Sequence, residues 1–391
     1  MQAFVEPGRN IPIEAEYDVC VLGGGVAGAA AALAAAREGA KTCLVEKEYA
    51  LGGLATLGLI VIYLPLCDGN GRQVIAGISE EFLRASLKYG PGDLPDCWNN
   101  GGDAAERRQK RYQTRYEAAS LTLALEELLL SAGVTLWYDT RLCAAACEGG
   151  KVQGVIVENK SGRLGIRAKA FIDATGDADL CFLAGEDTVS LATNVRTGWY
   201  FTGGGEGVRL HQLSDPIHGP IPETSRRYAG DRHWDVTQHA IDGRKMILAD
   251  LERRRAMEKD VYPLLLPAYD GMRMTRRLNG AYVLDESEAF RDFPDSIGLT
   301  GDWRKCGPVF AMPWRAIAGV KNGNLAAAGR CISVSTDMWD ITRVIPTAAM
   351  TGQAAGLGAA LAVHRNEALN SLPISLLQDA LRANGAIVEA P

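Results

Sequence analysis

The stretch Gly23-Gly24-Gly25-Val26-Ala27-Gly28 decides the fold of this chain. It follows the apolar run Tyr17–Leu22 and opens the alanine-rich segment Val26–Arg37, and a second apolar run, Lys41–Val45, comes next. Strand, glycine turn, helix and strand within about thirty residues predict one βαβ unit. The pattern therefore predicts an α/β protein with a parallel sheet, entered through this turn.

Each glycine of the G-x-G-x-x-G pattern has its own role. Gly23 permits the sharp turn, Gly25 lets a pyrophosphate approach the backbone, and Gly28 lets the helix lie close on the strand. The N–H groups that open such a helix, here from Val26 and Ala27, face the phosphates. The spacing of the flanking strands supports the motif, and we expect a bound dinucleotide.

NAD and FAD share this fingerprint, and downstream segments decide between them. Glu46 ends the second strand, where a carboxylate accepts hydrogen bonds from the adenosine ribose of either cofactor. Three later segments favour FAD, namely Gly52-Gly53, Ile172-Asp173-Ala174-Thr175-Gly176-Asp177, and Ala328-Gly329-Arg330 followed by Arg343–Gly356. We therefore predict that the bound dinucleotide is FAD.

The predicted FAD contacts come from every part of the pattern. They are Gly23, Gly25, Val26, Ala27, Gly28, Glu46, Lys47, Gly52, Gly53, Leu54, Ala55, Thr56, Leu142, Ala174, Thr175, Gly176, Asp177, Gly329, Arg330, Ile345, Thr347 and Ala348.

The rest of the chain divides by composition. Short alternating runs from Leu142 to Ala174 predict a β-meander that ends in another parallel strand. After about residue 185, Trp, Tyr, His, Arg and Pro become frequent, and four of the five histidines lie between His211 and His239. We predict a first part of the FAD domain at 1–184, a cap or substrate lobe at 185–310, and the second part of the FAD domain at 311–391.

These segments resemble a known family. The chain is similar to the FAD-dependent oxidoreductases related to the flavoprotein subunits of succinate dehydrogenase and fumarate reductase, over roughly residues 17 to 385. The most specific matches are Met274–Tyr282, Phe293–Ile297 and Ala328–Ser333. The resemblance implies a Rossmann-like FAD domain of the glutathione-reductase type, with an α+β cap lobe inserted in it. Because the loop 50–67 contains no histidine, the histidyl-flavin linkage of succinate dehydrogenase is not expected, and we predict non-covalent FAD.

The final helix and three arginines are the candidates for chemistry. The N-terminus of the predicted helix Thr347–His364 would direct its positive dipole end at the flavin, which stabilises the reduced form. Arg276, Arg277 and Arg343 fall in family-like motifs, and a guanidinium binds a planar carboxylate through two parallel hydrogen bonds. We predict these three as catalytic or substrate-binding residues. A structural ion pair is the alternative for each.

Net charge, cysteine content and the pattern of uncharged residues argue against several classes of protein. The net charge of −6 argues against a broad nucleic-acid or anionic-membrane surface. The nine cysteines contain no C-x-x-C, so neither a metal site nor a thiol-redox pair is predicted. The uncharged stretch 50–67 is broken by glycines and Pro65, which predicts a buried loop rather than a membrane span. The sequence predicts a cytoplasmic protein, because its first sixteen residues have no apolar leader segment.

Three functional hypotheses stay open at this level. The first is hydride transfer between a small organic substrate, anionic if the arginines bind it, and flavin N5. The second is a flavin monooxygenase or oxidase. The third is a protein in which FAD is structural and the surface binds RNA or protein. No second G-x-G-x-x-G follows a strand, so no separate NAD(P)H domain is expected and the electron partner is not identified.

Overall fold

The computed structural model describes residue 4 and residues 8–99, 101–205, 207–215 and 222–389. Its strands are β1 (Ile13–Leu22), β2 (Thr42–Val45), β3 (Ile62–Tyr63), β4 (Thr114–Arg115), β5 (Thr135–Trp137), β6 (Arg141–Glu148), β7 (Lys151–Asn159), β8 (Gly162–Asp173), β9 (Thr188–Ser190), β10 (Thr197–Gly203), β11 (Arg209–Ser214), β12 (Tyr262–Leu265), β13 (Arg276–Leu278), β14 (Ser296–Gly301), β15 (Val309–Pro313) and β16 (Leu325–Ala327). Its helices are α1 (Val26–Arg37), α2 (Ile78–Ala85), α3 (Asp96–Asn99), α4 (Ala104–Gln109), α5 (Ala118–Ser131), α6 (Asp179–Leu183), α7 (His233–Met257), α8 (Thr336–Thr342), α9 (Ile345–Arg365) and α10 (Ile374–Ala383).

The main sheet has the predicted parallel centre. Its order is β5-β2-β1-β8-β7-β6, with β16 also paired to β8. Strands β5, β2, β1, β8 and β16 run parallel to their neighbours in this group. The prediction of a Rossmann-like α/β domain is confirmed.

The long strand β8 joins the meander to the parallel sheet. Its first half pairs antiparallel with β7, whereas its last residues, Phe171–Asp173, pair parallel with β16. On its other edge it runs parallel to β1 along almost its whole length. One strand therefore brings the end of the meander beside the glycine turn that follows β1.

Helices α1 and α9 cover one face of the sheet, and their backbones pack very close to each other. A Cβ on Gly352 would lie 2.2 Å from the carbonyl oxygen of Ala27, and one on Gly356 would lie 2.1 Å from that of Ala31. Glycine at these positions lets two backbones approach more closely than side chains permit. The helix predicted from Thr347 begins two residues earlier, at Ile345, with Pro346 in its first turn.

A second, smaller sheet lies within the segment predicted as the cap lobe. Strands β10, β11 and β12 form it in the order β11-β10-β12, and we call it the cap sheet. Helix α7 packs on one face, where Tyr200, Ile247 and Leu251 form a separate apolar cluster. The β14–β15 hairpin, by contrast, contributes Ile297 and Phe310 to the principal core.

Candidate functional site

The N-terminus of α1 is open toward a cavity. Gly25 is its N-cap and has no side chain that could accept a hydrogen bond. The first N–H groups of the helix are therefore not capped by a side chain. A Cβ built on Gly25 would meet nothing within 4 Å. Space and donors for an anionic group therefore coincide at this residue.

Gly23 and Gly28 shape the turn from within the protein. Gly23 has a φ of +99°, and a Cβ there would lie 2.5 Å from the carbonyl oxygen of Ala174. A Cβ on Gly28 would lie 1.8 Å from the carbonyl oxygen of Gly23. These two glycines thus serve the fold, whereas Gly25 borders empty space.

Glu46 holds the glycine turn from the end of β2. Its carboxylate accepts a hydrogen bond from the Gly24 N–H at 2.5 Å and another from the Glu48 N–H at 2.9 Å. Burial raises the pKa of this carboxyl, and the two backbone donors oppose that change. Glu46 also lines the cavity, so it is available to a ligand as well as to the turn.

The cofactor cavity, as we call it, encloses about 1060 Å³ including its open mouth. Its lining contains most of the residues predicted to contact FAD, together with Arg343. They are Gly23, Gly25, Val26, Ala27, Glu46, Lys47, Gly52, Gly53, Leu54, Ala55, Leu142, Ala174, Thr175, Gly176, Arg330, Ile345 and Ala348. No histidine or cysteine is among the described residues that line it.

Five residues from the same prediction lie behind this lining. Gly28 packs under the turn, and Thr56 donates to the Leu51 carbonyl at 2.6 Å. The carboxylate of Asp177 accepts hydrogen bonds from Arg330 and Thr275. The Gly329 N–H donates to the Thr351 hydroxyl. The Thr347 hydroxyl lies 2.7 Å from that of Thr300. In this structure they position the lining.

Seven further residues line the cavity that the sequence motifs did not predict as FAD contacts. These are Leu22, Val45, Thr140, Arg141, Asp179, Tyr269 and Ala328. Ala328 and Arg141 are direct sequence neighbours of predicted contacts, and the same motifs could have indicated them. Tyr269 lies in a segment without a motif, and it reaches the site because the N–H groups of Ala268 and Tyr269 both donate to the Leu57 carbonyl.

Lys47 and Tyr269 form one wall together. The Lys47 ammonium lies 4.8 Å from the centroid of the Tyr269 ring. Burial lowers the pKa of Lys47, but Tyr269 and Asp177 outweigh it, and the net pKa is raised. This ammonium therefore remains charged beside the cavity, where it suits an anionic ligand.

A network of charged groups crosses the loop after β8. Arg330 donates to the Gly176 carbonyl at 2.7 Å and to the Asp177 carboxylate at 2.8 Å. Arg276 donates to the Asp177 carbonyl at 2.9 Å and to Asp179 at 2.6 Å. Burial, then the nearby carboxylates, raise the pKa of Asp179 to about 6. The network fixes the loop that borders the cavity.

The three predicted catalytic arginines have different surroundings. Arg343 lines the cofactor cavity and pairs with Asp340 at 2.6 Å. Arg276 is held by the network just described, and its guanidinium lies 4.2 Å from the Phe182 ring centroid. Arg277 is buried, its Nε has no partner among the described residues, and neither it nor Arg276 lines the cavity.

A further arginine, Arg273, lies near Arg343. Its Nη2 donates to the Ser214 hydroxyl at 2.9 Å. Burial and then the positive charge of Arg343 lower the pKa of Arg273 to about 10, against the smaller opposing effect of Asp340. Among the described residues no carboxylate lies within 4 Å of its guanidinium. Arg273 lies in no motif of its own, since it directly precedes the segment Met274–Tyr282.

The histidines stand apart from the cavity. His211 bonds to the Thr202 hydroxyl at 2.8 Å, and His239 lies between Asp270 at 2.6 Å and the Val195 carbonyl at 3.0 Å. Both histidines are therefore bonded within the fold. His218 lies outside the described residues.

The N-terminus of α9 meets the cavity beside that of α1, on which the helix packs. Ile345 and Ala348 line the cavity, and the N-cap Val344 provides no side-chain hydrogen bond. The positive end of this helix dipole is therefore directed at the same space as that of α1.

Comparison with known proteins defines the class. The chain matches the family described as FAD dependent oxidoreductase over residues 18–196 and 212–381, and it belongs to that family. FAD is its cofactor, and the protein is an enzyme of the oxidoreductase class. The open space at Gly25, with the free N–H groups of α1 beside it, fits the FAD pyrophosphate.

Individual relatives are more distant. Digeranylgeranylglycerophospholipid reductase of Picrophilus torridus is 28% identical over 187 residues, which cover 46% of this chain and 45% of that protein. A protein from the nifH2 5′ region of Methanosarcina barkeri is 31% identical over 182 residues, covering 43% of this chain and 86% of that protein. The chain thus spans about half the length of the reductases it matches.

The solved structures add support for the fold alone. The p-nitrophenol 4-monooxygenase of Pseudomonas putida DLL-E4 superposes with a TM-score of 0.52 at 12% identity, covering 97% of this chain and 91% of that one. The described residues contain no cluster of three or more metal-ligating side chains. In the same residues no helix is both long and apolar enough to cross a bilayer.

Proposed function

We propose that this enzyme exchanges a hydride between a small, anionic organic substrate and N5 of the flavin. The observation that carries the proposal is the position of Arg343, which lines the cofactor cavity at the start of α9 and lies close enough to a second arginine, Arg273, for its charge to lower the pKa of Arg273. Two guanidinium groups with one nearby carboxylate, Asp340, leave an excess of positive charge at this end of the cavity.

The protein groups have distinct tasks in this proposal. FAD supplies a reversible two-electron acceptor, and the protein supplies orientation and electrostatics. The free N–H groups of α1 hold the pyrophosphate, and Lys47 adds a positive charge on the same wall. The N-terminus of α9 provides a positive potential where reduction places negative charge. Arg343 would orient the anionic group of the substrate.

The cap sheet would cover the substrate and exclude water, which strengthens electrostatic interactions inside the site. Kinship with the flavoprotein subunits of succinate dehydrogenase and fumarate reductase remains a prediction. The domain limits at residues 184 and 310 also remain predictions. The cap sheet and α7 both lie between them.

Anaerobic reoxidation tests the function. The holoenzyme is reduced with dithionite and mixed with crotonate, an α,β-unsaturated carboxylate, or with crotyl alcohol as the uncharged control. We expect crotonate to restore the yellow absorbance faster than the alcohol. If neither compound reoxidises the flavin and oxygen admitted afterwards does so rapidly, the enzyme is instead a monooxygenase or oxidase. A flavin that dithionite does not bleach would indicate a structural role.

A further inference from the structure

The two faces of the cap sheet have different surroundings. In antiparallel pairing, residues opposite each other place their side chains on the same face. Tyr200 pairs with His211, and Tyr200 packs on α7. The alternate residues Trp199 and Phe201 therefore point away from α7.

The second face carries an apolar row. Trp199 pairs with Gln212, Phe201 pairs with Leu210 on one side, and on the other side Phe201 pairs with Leu265. Phe201 and Leu210 pack against the principal core, which shows that this face is directed at the FAD domain. Leu265 remains 46% exposed. The row thus offers partly open apolar surface on the side of the cofactor domain.

Arg273 lies at one end of the same face. Thr197 pairs with Ser214, so the Ser214 side chain belongs to the face of Trp199 and Phe201. Arg273 donates to the Ser214 hydroxyl at 2.9 Å, which places its guanidinium at the Thr197 end of the row. Arg343, close enough to affect the pKa of Arg273, links this point to the cofactor cavity.

The charges around this point favour an anion. Arg343 uses its Nε and Nη2 on one carboxylate oxygen of Asp340, whose other oxygen is 3.7 Å from Arg304. Arg304 is itself paired with Asp302 and Glu286. Arg273 has no such partner among the described residues, so its charge is available to a ligand.

We propose that the substrate is amphipathic, with an anionic group bound between Arg273 and Arg343 and an apolar chain lying along the row Trp199, Phe201 and Leu265. This inference rests on the proposed function, because it names the substrate class for the same site. Phe201 lies four positions after Thr197, which is about 13 Å along a strand. That length corresponds to an alkyl chain of about ten carbons.

The course of the chain after β12 supports a continuous site. Leu265 is followed within four residues by Tyr269, which lines the cofactor cavity. The N–H groups of Ala268 and Tyr269 bond to the Leu57 carbonyl at 2.9 and 3.1 Å. The apolar row and the cavity wall are therefore successive parts of one segment fixed to the FAD domain.

Binding of simple amphiphiles to the oxidised holoenzyme tests the inference. The probes are hexanoate, dodecanoate, dodecyl phosphate and dodecanol, each below its micelle concentration or solubility limit, and the readout is the perturbation of the flavin spectrum. We expect affinity to rise at least about twofold per added methylene up to about ten to twelve carbons. Dodecanol should bind at least about tenfold more weakly than the better anion, and the two anions show whether a carboxylate or a phosphate fits.

Matched variants separate the two halves of the site. Arg273→Gln should weaken dodecanoate at least about tenfold, whereas Arg255→Gln, at an exposed arginine of α7, should not. Leu265→Asp should abolish the dependence on chain length. Leu248→Asp, at a 54% exposed leucine of α7, should preserve it.

Two results would overturn the inference. One is equal affinity for hexanoate and dodecanoate, and the other is unchanged binding in Arg273→Gln relative to Arg255→Gln. Crotonate-dependent reoxidation of the dithionite-reduced flavin is recorded in the same samples. Failure of the proposed function therefore appears as a reduced flavin that crotonate does not reoxidise, and failure of the amphipathic site as crotonate-dependent reoxidation without selective binding.

Discussion

The carboxylate of Glu46 lies 2.5 Å from the backbone nitrogen of Gly24, so the acidic residue at the end of β2 fastens the glycine turn at the end of β1. Its second oxygen accepts from the Glu48 N–H. Because Glu46 also faces the cofactor cavity, one side chain shapes the turn and contacts the region where the ribose of FAD is expected.

Glu46→Gln tests this double role. The amide keeps one acceptor oxygen and turns its NH₂ toward a backbone N–H, so one charge-assisted hydrogen bond is lost, worth about 1.5–3 kcal/mol. We expect FAD to bind roughly ten- to hundred-fold more weakly. Titration of the apoprotein with FAD, followed by fluorescence quenching, measures the change. Glu48→Gln is the control, and equal affinities in the two variants would show that the Glu46 side chain does not contribute.

Gly25→Val should block FAD without disturbing the fold. The φ of Gly25 is −64° with ψ of 177°, which other residues adopt readily, and its Cβ would enter empty space that we assign to the pyrophosphate. The variant should be colourless with a melting temperature near that of the apoprotein. Gly28→Ala provides the contrast, because its Cβ would clash with the Gly23 carbonyl and lower stability. A yellow Gly25→Val protein would contradict the placement of the phosphates.

The local motif made the cofactor half of the site predictable. Gly23 to Gly28 and Glu46 act through spacing within one βαβ unit, and helix α1 has the predicted bounds. Tyr269 and Arg273 were not predictable in this way, since their places depend on the Leu57 carbonyl and on Ser214, far away in sequence. Tertiary contacts between segments without a motif leave no periodic trace in the chain.

FAD affinity should depend on pH through Asp179. Burial and neighbouring carboxylates raise its pKa to about 6, and bound phosphates would favour the neutral form further. FAD should therefore bind more tightly as the pH falls through about 6, by about tenfold for each unit that binding adds to this pKa. Dissociation constants measured between about pH 5 and 7.5 give the slope. Asp179→Asn should bind tightly throughout with little slope, and a slope retained in that variant would assign it to another group.

Arg343 and Arg276 should respond differently to substitution by lysine. An ammonium cannot reproduce a planar guanidinium, so Arg343→Lys should keep its flavin and lose ~10²-fold in crotonate-dependent reoxidation. Arg276→Lys should mainly lower the melting temperature, because Arg276 ties Asp179 to the Asp177 carbonyl. Both quantities are measured on each variant. Full activity in Arg343→Lys would remove Arg343 from the substrate site.

The pairing of β16 with β8, and of α9 with α1, also bears on how the protein is made. The strand and helix that complete the cofactor domain lie some three hundred residues after the glycine turn that they enclose. During synthesis, the first βαβ unit therefore waits for the last part of the chain before its helix is covered. Such non-local closure slows folding, and it leaves the apolar alanine face of α1 exposed to chaperones and to other nascent chains until residue 365 has emerged from the ribosome.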